Sequence, residues 1–243
     1  MLTFCNITST FYYLLSVMFY LLKYRKCWES RFISHLDLLR AIQRALRRSN
    51  LPLDFTRGFN PRPIISFVTS PLPVGYTSET ELLSFALKHP VDIKQIIAQL
   101  TRAFPPGIVP VEVQTAEKNT TLLSENCILY LVFLKFPQTD LSVQTAQTVI
   151  ENIALHLPEG SLVKHINFDT VDERKIFSQE KPPFRLSKLF FDAFTITLPR
   201  EKHHFRTDRL ISEQFKDVKY HIHRQALLCT VAKNNLVNPV NPV

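Results

Sequence analysis

Arginines dominate the chemistry that the first quarter of this sequence could perform. Seven of them fall between positions 31 and 62, namely Arg31, Arg40, Arg44, Arg47, Arg48, Arg57 and Arg62. Four of them recur at helical spacing and predict one positive stripe along about two turns of a helix. These four are Arg40, Arg44, Arg47 and Arg48. Guanidinium groups bind phosphate through paired hydrogen bonds, so the pattern favours contacts with a polyanion. A solvated helix face is the alternative, because charge stripes often have that role.

The segment TRGFNPRPIISF, residues 56–67, predicts a stiff loop after that helix. Gly58 can adopt a positive φ angle, and Pro61 and Pro63 fix two further φ angles. Residues that precede proline are held extended. The loop would therefore present its polar side chains with little entropy to lose on binding. Those side chains are Arg57, Asn60 and Arg62.

His35 and Asp37 are candidates for acid–base catalysis, since histidine titrates near neutral pH. Residues two apart on a helix point in different directions, which weakens the pairing. Ser34 is expected to cap the helix, and Asp37, three residues on, suits the capping box and the positive helix N-terminus. A surface or packing role is the alternative for His35.

Two histidine pairs occur in the second half of the chain, His203–His204 and His221–His223. In a strand, His221 and His223 share one face, so a metal pair is geometrically possible. No third ligand stands out, so the sequence favours exposed strand residues over a metal pair. The four cysteines lack the spacing of a zinc or iron–sulfur site. No metal and no cofactor is therefore expected.

The order of the predicted elements indicates an α+β fold. SHLDLLRAIQRALRRSN predicts a helix, and LPLDFT and RPIISFVT predict strands. The inward face of that helix is expected to carry Leu36, Leu39, Ile42 and Leu46. Each half of the chain follows the order strand, helix, strand, strand, helix, strand, which is the ferredoxin-like βαββαβ order. We therefore expect two tandem ferredoxin-like domains with antiparallel sheets.

The predicted boundaries follow from composition. They are residues 1–15 for an N-terminal extension, 16–113 for the first domain, 114–126 for a polar linker, 127–232 for the second domain and 233–243 for a tail. The run from Phe11 to Leu22 is apolar but shorter than the roughly 18 to 20 residues that a membrane span needs. Its aromatic and β-prone residues favour a buried strand instead. A net charge of +8 favours a polyanionic partner, and a cytoplasmic protein without a membrane partner is expected.

The N-terminal motifs resemble those of a known family. RFISHLDLLR, a helix that ends in RR and then GFNPRP are similar to the signature of a bacterial family of unknown function linked to radical SAM proteins. LPVGYTSETELLSFAL and RTDRLISEQF…YHIHRQALL resemble two further segments of that family. The structural positions of the signature are Ser34, Gly58, Pro61 and Pro63. The sequence departs from the pattern at Trp28, Ile64 and Thr207, where the family has a glycine, a basic residue and a proline.

The resemblance implies a partner more than an activity, because family members occur beside or fused to radical SAM proteins. This sequence has no CxxxCxxC, so radical chemistry would belong to another polypeptide. The expected function is an accessory or substrate-binding partner of a radical SAM enzyme, with RNA as the substrate by analogy from fold and charge. The expected binding surface is Arg31, His35, Arg40, Arg44, Arg47, Arg48, Arg57, Asn60 and Arg62. The alternatives are an enzyme with His35, Asp37 and Asn60 around a pocket, or a pure protein–protein adaptor.

Overall fold

The computed structural model describes residues 17–118, 126–135, 143–166, 192–199, 205–214, 219–231 and 235–237. They divide into two units. Residues 17–74 and 81–118 form the first unit, and residues 75–80 together with those from 126 onward form the second. The predicted boundaries stay predictions, but the short segment Gly75–Thr80 belongs to the second unit although it precedes the predicted linker.

The first unit contains a four-stranded arrangement and two α-helices. Its elements are β1 (Met18–Lys26), a 3₁₀ turn (Trp28–Ser30), α1 (His35–Arg48), β2 (Ile65–Phe67), β3 (Thr77–Leu87), α2 (Ile93–Ala103) and β4 (Ile108–Ala116). Of β3, the residues from Glu81 onward belong to this unit, and those up to Thr80 belong to the second unit. The strand order is β4, β1, β3, with β2 on the other side of β3. β4 pairs antiparallel with β1, and β2 pairs antiparallel with β3. β4 ends at Ala116, inside the segment predicted as a linker.

The core of this unit is built from alternate strand residues and one stripe of each helix. Side chains at every second position of β1 and β3 are buried against both helices. They are Tyr20, Leu22, Tyr24, Leu83, Phe85 and Leu87, and the helices add Leu38, Ile42, Ala45, Leu46, Ile96 and Leu100. Because the sequence alternates in the strands and repeats every three or four residues in the helices, one continuous core forms.

The predicted inward face of α1 was wrong at its first position. Leu36 is 61% exposed, whereas Leu38 and Ala45 are buried. A helix turns about 100° per residue, so Leu36 lies roughly 120° around the helix from Ile42, while Leu38 lies roughly 40° from it. Leu36 therefore leaves the buried stripe, and its side chain stands in solvent beside the start of the helix.

The second unit has its own strands and helices. Its elements are β5 (Asn126–Lys135), α3 (Val143–His156), β6 (Leu162–Ile166), β7 (Asp192–Pro199), α4 (Thr207–Gln214), β8 (Lys219–Val231) and β9 (Asn235–Val237). The strand order β8, β5, β7, β6 is antiparallel throughout, and β9 adds to β8. Thr77 and Ser78 at the start of β3 pair in parallel with His223 and Arg224 of β8.

The α+β class is confirmed, with a mixed sheet rather than the purely antiparallel sheets that we expected. Two tandem ferredoxin-like domains stay a prediction. The strand predicted over LPLDFT is wrong, because only isolated bridges occur there, from Leu53 to Leu87 and from Phe55 to Pro63. Pro52 and Pro63 lack the N–H groups that a continuous ladder needs.

Two features named in the sequence analysis involve residues that the structure describes only in part or not at all. The histidine pair His203–His204 lies outside the described residues. Of the apolar run from Phe11 to Leu22, the part from Met18 onward lies in β1. Among the helices that the structure describes, none is long and apolar enough to cross a membrane.

Candidate functional site

The start of α1 is capped as the sequence predicts. The Oγ of Ser34 accepts a hydrogen bond from the backbone N–H of Asp37 at 3.2 Å, and its hydroxyl donates to Asp37 Oδ2 at 2.8 Å. Arg40 Nη1 donates to Asp37 Oδ1 at 3.2 Å. The hydrogen bond from Ser34, followed by that from Arg40, lowers the pKa of Asp37. Asp37 is therefore a charged capping residue, which does not suit it to proton transfer near neutral pH.

The candidate pair of His35 and Asp37 makes contacts in two directions. The His35 ring meets the ring of Phe67 edge-on, with 4.8 Å between the ring centroids. Phe67 belongs to β2, whereas Asp37 bonds to Ser34 and Arg40. The third member of the proposed enzyme site, Asn60, is exposed on the loop. These contacts support a packing role for His35.

The loop between α1 and β2 is closed by two hydrogen bonds at its base. The backbone N–H of Thr56 donates to Arg62 O at 2.8 Å, and that of Arg62 donates to Thr56 Oγ1 at 3.0 Å. Gly58 has a φ of +137°, which side chains other than hydrogen rarely allow. Phe59, at the tip, is fully exposed. The loop, closed at its base by these hydrogen bonds, therefore exposes an aromatic ring to solvent.

Arg47 fastens this loop to α1. Its Nη2 donates to the carbonyl oxygen of Pro61 at 3.0 Å. Its guanidinium also lies over the ring of Phe55, 5.9 Å from the centroid. The stiffness that the two prolines predict is therefore reinforced by a side chain from the neighbouring helix. The Arg47 guanidinium is therefore bonded to the loop and is not a free cation for a ligand.

Two further predicted binding arginines also have partners inside the first unit. Arg48 Nη2 donates to Ala103 O at 2.9 Å, at the negative C-terminal end of α2. Arg31 Nη1 donates to Trp28 O at 2.7 Å. The Arg31 guanidinium stacks 3.9 Å from the centroid of the Trp28 ring and 4.2 Å from that of Phe32. Both arginines hold local structure.

Of the predicted binding arginines, three are exposed and have no side-chain hydrogen bond or ion pair to the described residues. They are Arg57 and Arg62, which lie two positions before and three positions after Phe59 along the loop, and Arg44, which lies one turn before Arg47 on α1. We call the set that they form with Phe59 and Asn60 the loop surface. Its members are Arg44, Arg57, Phe59, Asn60 and Arg62. It combines positive charge with an aromatic ring.

A cavity of about 940 Å³ lies beside the loop surface. Each of β1, β2, β3 and β4 contributes to its wall, together with residues at the base of the loop. The lining residues are Val17, Met18, Phe19, Asp54, Phe55, Thr56, Arg57, Ile64, Ile65, Ser66, Ser84, Ala116, Glu117 and Lys118. Arg57 belongs both to this wall and to the loop surface.

The second unit holds a different kind of polar group, buried and bonded to its neighbours. Thr77 Oγ1 lies 2.9 Å from His221 Nε2 and 2.8 Å from His223 Nδ1. Both histidines are buried. Burial, with a smaller contribution from His221, lowers the pKa of His223 to about 3. His223 is therefore neutral at physiological pH, with Glu79 Oε1 at 4.0 Å from its Nε2.

Tyr76 joins the same group to the start of α4. The backbone N–H of Asp208 donates to the Tyr76 hydroxyl at 2.9 Å. The Asp208 carboxylate accepts two bonds from Arg206, at 2.8 and 2.6 Å. Burial acts against ionisation of Asp208, but Arg206 holds its pKa below the usual range. Burial also raises the pKa of Tyr76, so the phenol stays protonated.

Arg224 lies within the same unit, with 1% of its surface exposed. Its Nη2 donates to the Tyr130 hydroxyl at 3.2 Å, and the guanidinium lies 5.6 Å from that ring's centroid. The Tyr76 and Tyr130 rings meet edge-on. We call Tyr76, Thr77, Tyr130, Asp208, His221, His223 and Arg224 the buried polar cluster. No group of three side chains able to hold a metal ion occurs in the described parts of the chain.

Sequence reasoning found the arginines and the loop but missed two features. It did not single out Phe59, although an aromatic residue between a glycine and an asparagine in a stiff loop has nowhere to pack. It also missed the buried polar cluster, because Thr77 and His221 are 144 positions apart. The available signal was the alternation of His221 and His223, which places both rings on one face of β8.

Comparisons with known proteins give a family and no activity. A model of a family described as uncharacterised protein conserved in bacteria (DUF2344) matches residues 20–165. No curated protein matches the chain. A crystal structure of an unknown protein from Galdieria sulphuraria is similar, with 12% sequence identity over 86% of this chain and 99% of that chain. Its TM-score is 0.27, so the likeness carries no argument about fold or function.

Proposed function

Since the chain belongs to a family of uncharacterised proteins conserved in bacteria, we propose its function from its own geometry. The protein binds RNA through the loop surface and serves as an accessory or substrate-binding partner of a radical SAM enzyme. The radical SAM half of the proposal is supported only by the resemblance of the sequence motifs. The tandem ferredoxin-like arrangement is supported by the strand orders β4–β1–β3–β2 and β8–β5–β7–β6.

The exposure of Phe59 is the observation that carries the RNA proposal. Burying a phenylalanine side chain is worth about 1.5–3 kcal/mol, yet this ring is fully exposed on a closed loop. Exposed aromatic rings stack on the bases of single-stranded nucleic acids, at about 1–3 kcal/mol for each base. Phe59 is therefore suited to a ligand that offers a flat, accessible ring.

The charges on either side of Phe59 favour the same ligand. Arg57 and Arg62 are exposed on the same loop, before and after Phe59 in the sequence, and Arg44 adds a third exposed cation from α1. Guanidinium groups bind phosphate oxygens in pairs of hydrogen bonds. Because hydrogen bonds at the base of the loop and the side chain of Arg47 already hold the frame, little ordering remains to oppose binding.

A protein–protein adaptor is the second candidate, and one observation favours it. Phe32 and Leu36 are 66% and 61% exposed at the start of α1, which gives an apolar surface that a protein partner could cover. Such an interface would depend little on salt. Binding of RNA through the loop surface must weaken as salt rises, because the bound strand releases its counterions.

The test is a fluorescence anisotropy titration of a labelled single-stranded RNA of about 12 nucleotides. The full chain is compared with the triple variant Arg44→Ala/Arg57→Ala/Arg62→Ala across a salt series. Each lost phosphate contact should reduce the slope of log K against log salt by about 0.7, hence by about 2 for all three.

Arg209→Ala is the matched control, since it removes an exposed arginine of the second unit that pairs with Glu213. It should leave RNA affinity and the salt slope nearly unchanged. Failure of the parent to bind RNA would contradict the proposal, as would equal affinities for parent and triple variant.

A further inference from the structure

The cavity of the first unit and the loop surface are joined by Arg57. This residue lines the cavity and lies two positions before Phe59 on the loop. Thr56, whose hydroxyl closes the loop, lines the cavity as well. An RNA strand that is bound to the loop surface would therefore pass next to the mouth of the cavity.

The size of the cavity suits a small polar ligand with an apolar portion. Its volume of about 940 Å³ lies at the upper end of the roughly 300–1,000 Å³ range of ligand sites. Phe19 and Phe55 supply aromatic surface, and Met18 and Ile65 supply aliphatic surface. This apolar portion of the wall is suited to a flat ring such as a nucleobase.

The polar groups of the wall match the other parts of a nucleotide. Arg57 and Lys118 supply two exposed cations for a phosphate. Asp54 Oδ1 accepts the N–H of Phe55 at 2.9 Å, and its second oxygen has no hydrogen-bond partner among the described residues. A carboxylate oxygen can accept from the amino group of a base. Ser66 and Ser84, opposite each other on β2 and β3, add hydroxyls.

We propose that this cavity takes one unstacked nucleotide of the RNA strand that the loop surface holds. The substrate is then single-stranded at that point, because the bases of a duplex are paired and stacked and cannot enter a pocket without being extruded. The inference rests on the proposed function and goes beyond it. It adds a second contact for the same strand and a preference for one base at one position.

The first experiment measures binding of the four nucleoside 5′-monophosphates to the full chain by isothermal titration calorimetry. Ser66→Trp adds a bulky ring at the exposed edge of the cavity. It should weaken nucleotide binding at least about 10-fold, since loss of one base-stacking site has that order of effect. Ser212→Trp, at an exposed position of α4 in the second unit, is the matched control and should change nothing.

A second variant keeps the test valid if Ser66→Trp fails to fold, which circular dichroism would show. Lys118→Ala removes an exposed cation at the end of β4. It should weaken binding of the monophosphates several-fold while leaving binding of the matching nucleosides, which lack phosphate, unchanged. Equal binding of both ligand types by parent and variant would overturn the assignment of the phosphate to this wall.

The RNA itself separates the cavity proposal from the proposed function. A strand with one abasic nucleotide, moved along the sequence, should lose affinity sharply at one position for the parent and not for Ser66→Trp. If RNA binding depends on the loop arginines but no monophosphate binds and Ser66→Trp leaves RNA affinity unchanged, the cavity proposal is wrong and the proposed function stands. If no RNA binds to the parent, both proposals are wrong.

Discussion

The first unit keeps Arg57 and Arg62 in solvent on either side of an exposed ring, whereas the second unit keeps Arg224 inside, bonded to a tyrosine. Arginine thus has a different role in each unit. Taking a guanidinium out of water is costly unless hydrogen bonds replace the lost hydration, so a buried arginine comes with partners that fix local structure. An exposed arginine without a partner in its own unit keeps its hydrogen-bonding capacity for a ligand. Exposure and partners, rather than residue type, thus separate candidate binding residues from structural ones.

The largest effect should come from breaking the buried polar cluster. Thr77→Val keeps the volume of the side chain but removes the hydroxyl that contacts His221 and His223. Leaving buried polar groups without these contacts should lower the free energy of unfolding by about 2–4 kcal/mol, which chemical denaturation would measure.

Thr101→Val is the matched control for that substitution. Its hydroxyl donates to Ile97 O at 2.7 Å, but the residue is exposed on α2, so the loss should be much smaller. Equal losses for the two variants would contradict the distinction between buried and exposed polar contacts.

Phe59→Ala tests the exposed ring of the first unit, in contrast to the buried polar cluster of the second. The ring is fully exposed, so its loss should change the free energy of unfolding by no more than about 0.5 kcal/mol. Affinity for single-stranded RNA should fall by about 1–3 kcal/mol, because one stacking contact is lost. Phe59→Trp should restore the affinity. A marked loss of stability in Phe59→Ala would show that the ring is structural and would remove the main support for the proposed function.

Acid should destabilise the protein through its second unit. The pKa of His223 is lowered to about 3 by burial, against about 6.5 in an unfolded chain. The unfolded state therefore binds the proton first, and stability falls as the pH decreases from about 6.5 towards 3, by up to about 1.4 kcal/mol per pH unit. Thr77, Glu79 and His221 face the ring, with Glu79 Oε1 4.0 Å from His223 Nε2.

Urea denaturation between pH 6.5 and 4.5 measures this loss of stability, because the carboxylate of Asp208, whose pKa is lowered, responds at lower pH. A flat profile over this range would contradict a neutral buried His223.

A smaller loss of stability than that of Thr77→Val should come from the cap of α1. Ser34→Ala removes the acceptor of the Asp37 N–H and should lower the free energy of unfolding by about 1 kcal/mol. RNA affinity should stay unchanged, because the Ser34 side chain is outside the loop surface. A large loss of RNA affinity in a folded Ser34→Ala variant would move the binding site towards the start of α1.

The sequence predicts local features well because they depend on neighbours along the chain. Ser34 and Asp37 are three residues apart, and the spacing alone identifies the cap. The closed loop also follows from Gly58 and the two prolines. The α+β class follows from the alternation of strand-like and helix-like segments.

What the sequence could not provide are the partners that folding brings from a distance. By its spacing in the sequence, Arg48 belongs to the same stripe as Arg44, yet it donates a hydrogen bond to Ala103 O, 55 positions away. Thr77 gives no sign that its hydroxyl will meet two histidines of β8. Burial and long-range hydrogen bonds decide which arginines are available to a ligand. Only the structure therefore narrows the nine predicted binding residues to those of the loop surface.

Ultraviolet crosslinking of RNA to the full chain, followed by mass spectrometry of the crosslinked peptides, tests the central claim most directly. The account predicts crosslinks in the peptide that carries Phe59, with their loss in Phe59→Ala and in the triple arginine variant. Crosslinks confined to peptides of the second unit, or none above the level of an unrelated basic protein, would contradict it.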